Sequence, residues 1–245
     1  MMSRIYPIAR AVVADSLRRK VVYVVVLFAA LLAFAIPFLP DYGLGVQEAV
    51  FREVALALAF VTAIVVTLSL AANRVPGEAE RRTVYNVVAK GVSRWEYLVG
   101  TWGGIFLVAG AAVAAFTLIE QVIGFINYGV MMWVLWEGAL AIWLEMGVIA
   151  ALAVAASAVA GPVVVVTLTL AVLFVGHSRS TLLGGEGALA FRPFFPSLDA
   201  FNVVNPVAHG GGVPLEYLAG MIGVFVGFTG LALIVGGTLF GRRDL

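Results

Sequence analysis

The sequence predicts an all-α integral membrane protein that crosses the bilayer six times. Hydrophobic residues make up 62% of the 245 residues and charged residues only 12%, about half the charged share of an average soluble domain. The mean hydropathy is +1.06. The apolar residues lie in long blocks, and a backbone inside lipid must form helices or a closed barrel to satisfy its hydrogen bonds. Because the blocks show no alternation of period two, they predict helices.

The distances between charged residues set the expected spans. The gaps Lys20–Asp41, Glu53–Arg74, Glu96–Glu120, Glu145–Arg179 and Glu216–Arg242 enclose 20, 20, 23, 33 and 25 residues. A helix needs about 20 apolar residues to cross the hydrocarbon layer. Gly161-Pro162 interrupts the chain after the fourth span, since proline cannot donate the helical hydrogen bond. The expected spans are therefore residues 21–39, 54–72, 96–120, 133–159, 163–183 and 217–240.

Residues 1–20 precede the first span and predict an interfacial helix. Ile5, Ile8, Val12 and Val13 recur at helical spacing among basic residues, which is typical of a helix that lies at a membrane surface. A basic flank that only orients the first span explains the same pattern equally well. The first apolar block is of spanning length, so we expect a retained helix rather than a cleaved signal peptide.

The basic residues predict an orientation with both termini in the cytoplasm, and we expect a multi-pass protein of the cytoplasmic (inner) membrane. With six spans and the amino terminus inside, 12 of the 15 basic residues lie on the inner side. Inner loops of membrane proteins carry such an excess of lysine and arginine. The inner residues are Arg4, Arg10, Arg18, Arg19, Lys20, Arg74, Arg81, Arg82, Lys90, Arg94, Arg242 and Arg243.

The loop of residues 73–96 is the main charged stretch between spans and predicts a short cytoplasmic helix. Pro76 suits a first helical position, and Glu78 and Glu80 lie in a first turn that favours anions. Glu78 and Arg82 form an i,i+4 pair, and Gly91 suits the residue after the helix. Such a helix could transmit a displacement from a soluble partner, whereas a connector lying on the membrane surface explains the pattern equally well.

A second signal in this loop marks the beginning of the third span. Ser93 and Glu96 have the spacing of a capping box, in which the serine side chain and the glutamate side chain each bind the other's backbone N–H. Trp95, Tyr97 and Trp102 suit the aromatic belt at the membrane interface. We therefore expect a new helix to begin directly after Ser93.

The run from Glu78 to Gly100, EAERRTVYNVVAKGVSRWEYLVG, resembles the loop between spans two and three of type-2 ATP-binding-cassette permeases. More narrowly, it resembles the permease components labelled as involved in multi-copper enzyme maturation. The basic helix before span one, the stretch FPSLDAFN at 195–202 and the ending FGRRDL at 240–245 extend the resemblance over essentially the whole chain. The chain departs from the family pattern at Gly91, where proline is usual, and at Thr101, where lysine is usual.

The resemblance implies a single permease domain, 1–245, that moves a substrate with ATP hydrolysed elsewhere. The chain has no G-x-x-x-x-G-K-[ST] phosphate loop, so ATP and magnesium would be bound by a separate ATPase subunit. A second permease copy, identical or related, is implied because six spans are half the usual complement. The residues implied in docking the ATPase or in holding the coupling helix are Glu78, Glu80, Arg81, Arg82, Thr83 and Arg94.

Two acids lie within the predicted spans. Glu145 interrupts the fourth span, and Glu120 lies near the outer end of the third. Acids at membrane depth normally face a bundle interior or an aqueous cavity, so both are candidates for a translocation path. The alternative for Glu145 is a structural pair with a hydroxyl, a tryptophan or an arginine of the outer loop.

Glycines on the sixth span predict a face that allows close helix approach, either within the chain or at a dimer seam. They are Gly220, Gly223, Gly227 and Gly230. The outer loop, residues 184–216, contains several aromatic residues, and we expect it to pack against protein or lie among headgroups, since lipid-facing irregular backbone is not tolerated.

Other functional classes find less support in the sequence. A channel or secondary carrier that acts without ATP would favour inverted repeats, which the sequence does not display convincingly. An intramembrane enzyme would need paired acids or a nucleophile with its base, and we predict no catalytic residue. The chain has no cysteine, and its two histidines, His177 and His209, lack ligand spacing, so no metal site is expected. A non-transporting assembly subunit remains open, and the net charge of +1 gives no indication of a nucleic-acid partner.

Overall fold

The computed structural model describes residues 2–18, 21–39, 46–80, 93–182 and 195–241, and the regular elements among them are all helical. Within residues 2–4, 17–18 and 73–80, and at Ser180, only the backbone is described. Two short 3₁₀ turns cover Ile36–Phe38 and Leu198–Phe201. The α-helices are α1 Met2–Arg18, α2 Val21–Ala35, α3 Val46–Glu80, α4 Arg94–Tyr128, α5 Leu135–Ser157, α6 Pro162–His177, α7 Arg179–Leu182, α8 Val204–Ala208 and α9 Leu215–Gly241.

Within the described residues, five stretches of helix are long and apolar enough to cross a bilayer, which is the pattern of a multi-pass membrane protein. They are Val21–Phe38, Val46–Ala72, Arg94–Tyr128, Leu135–Ser157 and Leu215–Gly241. The predicted fifth span corresponds to α6, which has only 16 residues. Such a helix is about 24 Å long, shorter than the roughly 30 Å of a hydrocarbon core. Of the six expected spans, five therefore meet the length that spanning requires.

Two helices extend beyond their predicted ends. Helix α3 begins at Val46, so Glu48 and Arg52 lie in its first turns, although the predicted second span begins only at residue 54. Their side chains form an i,i+4 pair at 3.5 Å, which stabilises the helix where it leaves the apolar stretch. Helix α4 continues past Glu120 to Tyr128. Uncharged gaps measure the hydrocarbon layer, whereas these helices continue past it.

The prediction that a new helix begins at Pro76 is wrong. Residues 73–80 continue α3 without a break as far as Glu80. Proline inside a helix removes one hydrogen bond and costs about 3 kcal/mol, yet the preceding spanning helix has already met the cost of nucleation. The predicted coupling region from Arg81 to Val92 lies outside the described residues.

The beginning of α4 confirms the predicted capping box. The Glu96 backbone N–H donates to Ser93 Oγ at 3.1 Å, and the Ser93 N–H donates to the Glu96 carboxylate at 2.9 Å. The two bonds satisfy donors that a helix terminus otherwise leaves free. They fix the residue at which the chain re-enters the bundle.

Helix α5 forms the centre of the bundle. In its most apolar stretch 78% of the residues are buried, compared with 17% for α2 and 22% for α9, and it packs against α3, α4, α6 and α9. Two indoles join it to α4: Trp102 Nε1–H donates to the Gly147 carbonyl, and Trp143 Nε1–H donates to the Phe106 carbonyl, each at 2.9 Å. Phe106 and Trp143 also stack at 4.6 Å between ring centroids, so these helices keep one register.

Helix α1 packs against the beginning of α4. A Cβ at Gly100 would lie 2.8 Å from Ile8 Cβ, and one at Gly104 would lie 2.9 Å from the Ala9 carbonyl oxygen. Val12 is buried at this contact, with 1% of its surface exposed. Helix α1 thus packs directly on the bundle, and Gly100 and Gly104 allow its close approach to α4.

The glycines of α9 do not make the contact within the chain that one interpretation expects. Among the described residues, no atom lies within 4 Å of the Cβ position at Gly220, Gly223, Gly227 or Gly230. The close approaches of α9 occur nearer its end, where Gly236 meets Ala155 and Gly237 meets Trp95. Large side chains on α4 and α5 occupy the interior beside the first half of α9. This half of α9 therefore packs through its own large residues, such as Phe225.

Candidate functional site

A buried acid and a histidine meet near the middle of the bundle. His177 Nε2 lies 2.7 Å from Glu145 Oε1, and the side chains are 26% and 2% exposed. Glu145 lies ten residues after the start of α5 and twelve before its end, which places it about 15 and 18 Å from the two ends. The short α6 ends at His177, so the histidine is positioned at this depth by the length of its helix.

The surroundings of this pair are largely closed. The ring of Phe60, from α3, meets the His177 ring edge-on at 5.5 Å between centroids. On the other side, a Cβ at Gly176 would lie 2.8 Å from Leu198 Cγ, and Leu198 is fully buried. The Asp199 carboxylate is close enough to interact electrostatically with the His177 ring. The 3₁₀ turn Leu198–Phe201 therefore covers the end of α6.

The covering turn belongs to residues 195–214, which we name the plug segment. Arg52 Nε donates to the Ala208 carbonyl at 2.8 Å, and the Val213 N–H donates to the Glu137 carboxylate. Phe201 and Val207 are buried in the same core as the spanning helices. The expectation that the outer loop packs against protein is confirmed for the plug segment.

A cavity lies where the plug segment meets the start of α3. Its volume is about 430 Å³, and Glu48, Arg52, Glu53, Ala208 and His209 line it. We name this side of the bundle the Arg52 end. The opposite side, where α4 begins and α9 finishes, is the Arg94 end; the ring contact between Phe51 and Tyr128 shows that the start of α3 meets the finish of α4.

Arg94 lies within the bundle contacts at its own end. One guanidinium nitrogen donates to the carbonyls of Phe240 and Gly241, at 2.8 and 3.0 Å, and the guanidinium carbon lies 5.8 Å from the centre of the Phe240 ring. The group therefore binds the last carbonyls of α9, which a helix leaves without partners. This contact joins the start of α4 to the end of α9, a role separate from the docking or coupling-helix roles that the resemblance implies.

We expect Arg94→Ala to loosen the end of α9. Hydrogen bonds to a charged donor contribute about 1.5 kcal/mol at the low end of their range, which is appropriate for this partly exposed site. Hydrogen–deuterium exchange near Phe240 should become faster by about tenfold, since 1.4 kcal/mol corresponds to a factor of ten. Arg10→Ala, at an exposed position of α1, is the matched control. An unchanged hydrogen–deuterium exchange rate near Phe240 in Arg94→Ala would show that Arg94 does not stabilise the end of α9.

The other predicted site residues are placed unevenly. Glu145 is in the interior, as an acid at membrane depth requires, and Glu120 is fully buried in α4. Glu78 and Glu80 lie on the last turns of α3, with their side chains outside the description, and Arg81, Arg82 and Thr83 are outside the described residues. His177 is not among the predicted site residues. Its one signal was a lone histidine inside the 33-residue uncharged gap.

Comparison with known proteins does not assign a family. No protein-family model matches the chain, and no curated protein matches it in sequence.

Proposed function

We propose that this chain is the membrane-spanning permease subunit of an ATP-binding-cassette transporter, which moves its substrate with ATP hydrolysed by a separate subunit. The observation that carries the proposal is the form of the α3–α4 connection. Helix α3 continues eight residues past Ala72 to Glu80, about 12 Å beyond its apolar stretch, and α4 begins at a fixed capping box. The connection therefore begins in a continuous helix and ends at a capped helix. Such a connection can transmit a displacement of the ATPase subunit to the spanning helices.

In this proposal the Arg94 end faces the cytoplasm. Arg10, Arg74 and Arg94 lie on the parts of α1, α3 and α4 at this end, and Arg242–Arg243 follow α9 directly in the sequence. Inner loops favour basic residues. Residues 81–92 then form the element that contacts the ATPase. Helix α6, together with α7, would complete a sixth crossing whose outer part is covered by the plug segment.

The substrate path would pass near Glu145 and His177. An acid–histidine pair inside a membrane is costly and is usually placed at a pathway or a relay. In the described conformation the plug segment closes the Arg52 side of this pair through Leu198. Transport would therefore require the plug segment to move relative to α6.

The decisive experiment is the purification of the native complex, followed by a test of coupling. We expect a nucleotide-binding chain to co-purify, and we expect the double variant Glu80→Lys/Arg82→Glu to lose substrate-stimulated ATPase activity while the complex stays assembled. Reversing charges at the contact should disturb docking geometry because a mismatched pair repels. Glu216→Lys, an exposed change at the start of α9, should leave stimulation unchanged. Full stimulation in the double variant would count against a coupling role.

A secondary carrier that acts without ATP is the second candidate. It is favoured by the Glu145–His177 pair, which lies near mid-depth at the end of a helix too short to span, a combination that carriers use for coupling ions. A native complex without a nucleotide-binding chain would replace the first proposal by this one.

A further inference from the structure

Glu120 is a fully buried acid that the proposed function does not use. Its exposed fraction is 0%, and it is among the largest fully buried side chains of the described protein. It lies 26 residues after Arg94 on α4, about 39 Å along the helix, and hence near the Arg52 end. One turn later, a Cβ at Gly124 would lie 3.4 Å from Phe51 and from Met132. Because residues four apart share a helix face, Glu120 points towards α3 and the start of α5.

Neither carboxyl oxygen of Glu120 has a hydrogen-bond partner among the described residues. Thr117 lies beside the carboxyl group, without a bond of ordinary geometry between them. The neighbouring amide, Gln121, is already committed, since it donates to the Met132 carbonyl at 2.7 Å and accepts from the Met132 N–H at 2.9 Å. Phe116, one turn earlier, is apolar and fully buried. Glu120 is thus a polar group in an apolar setting.

The charged groups on the elements packed against this part of α4 have other contacts or face away. On α3, Arg52 donates to the Ala208 carbonyl and to Glu48, and Glu53 is exposed. On α5, Glu137 accepts from the Val213 N–H and Glu145 pairs with His177. The described part of α2 contributes no charged residue. Within the described residues, no cation pairs with the Glu120 carboxyl group.

An ionised carboxylate in this setting would be a buried charge without compensation. Proteins avoid that state by protonating the carboxyl group, because the free-energy cost of desolvating an isolated charge far exceeds the stabilisation that apolar surroundings provide. We propose that Glu120 is a proton-binding site, which carries its proton as a neutral carboxylic acid while α3, α4 and α5 are closed around it. Separation of these helices would admit water, and the proton would then leave to the Arg52 side. This inference is independent of the proposed ATP-driven function, because it concerns the packing of this chain alone.

Infrared spectroscopy of the purified full chain in lipid vesicles tests the proposal directly. At neutral pH we expect the carbonyl stretch of a protonated carboxylic acid in the wild-type spectrum, a shift of that band in heavy water, and its loss in Glu120→Gln. Glu53→Gln removes an exposed acid and should leave the band unchanged. If Glu120→Gln does not fold, Glu120→Asp keeps an acid at this position and should retain a carboxylic-acid band at an altered frequency.

Two results would overturn the inference. One is a wild-type spectrum at neutral pH without any carboxylic-acid band, which would mean that Glu120 is ionised. The other is a band that persists unchanged in Glu120→Gln and disappears in Glu145→Gln, which would assign the proton to the acid beside His177 instead. Loss in Glu120→Gln, with persistence in Glu145→Gln, supports the proton site even if no ATPase subunit is ever found.

Discussion

Glu145→Ala is expected to destabilise the protein by about 3 kcal/mol, the lower part of the range for removing a large buried side chain together with its hydrogen bond. The substitution leaves His177 without its partner at 2.7 Å and also removes side-chain volume from the best-buried helix. We choose the lower part because the histidine is 26% exposed and water can compensate in part. The free energy of unfolding in mild detergent, obtained from denaturant titration, measures the effect.

A double-mutant cycle separates the pair from the volume change. His177→Ala and Glu145→Ala/His177→Ala complete the cycle, and the double variant should be more stable than the sum of the single losses by about 1–3 kcal/mol. Glu145→Gln is the matched control for volume, since its amide oxygen can still accept a hydrogen bond. Additive losses in the free energy of unfolding would show that the two side chains do not interact. That result would contradict the interpretation that they form one site.

The sequence could predict the spans because the hydrocarbon layer acts on every residue inside it. Charge is excluded over about 20 residues, so the gaps locate α2 and α9 to within a few residues. The same reasoning fails at helix ends outside the layer. Glu48 and Arg52 lie outside the predicted second span because charge is costly in lipid, whereas the helix begins beyond the lipid and their pair at 3.5 Å stabilises it.

The site could be predicted only in part, for a related reason. Glu145 is visible because an acid within an apolar run has few structural roles. His177 lies 32 residues away, and its depth depends on where α6 ends. Leu198 packs against Gly176 beside that end, a tertiary contact that no local pattern encodes.

The glycines show the same limit. The sequence identifies helix faces made of small residues, but it does not identify the helix that packs against each of them. The spacing on α9 predicted close contact at Gly220 and Gly223, where the described chain has none, whereas Gly100 and Gly104 receive α1. A glycine face is necessary for close approach and is not sufficient, since the partner must also present small or flat groups.

Gly104→Leu is expected to displace α1 from the bundle. A leucine there would place its Cβ 2.9 Å from the Ala9 carbonyl oxygen and into the Val12 side chain, and the backbone oxygen cannot rotate away as a side-chain end could. Forcing extra volume into a packed contact costs about 1–3 kcal/mol, comparable to what one buried side chain such as Val12 contributes. We therefore expect α1 to separate from α4 while the five spanning helices remain folded.

Disulfide trapping measures this separation, because the chain has no cysteine of its own. In Ile8→Cys/Gly100→Cys the two Cβ positions lie close, at 2.8 Å in the described geometry, and small adjustment brings them to the roughly 3.8 Å of a disulfide. Oxidation should cross-link this variant efficiently, and adding Gly104→Leu should abolish most of the cross-link. Gly103→Leu is the matched control, since nothing lies within 4 Å of its Cβ position. Equal cross-linking in both backgrounds would mean that Gly104 does not seat α1, and the N-terminal helix would then be held at the membrane surface by lipid rather than by the bundle.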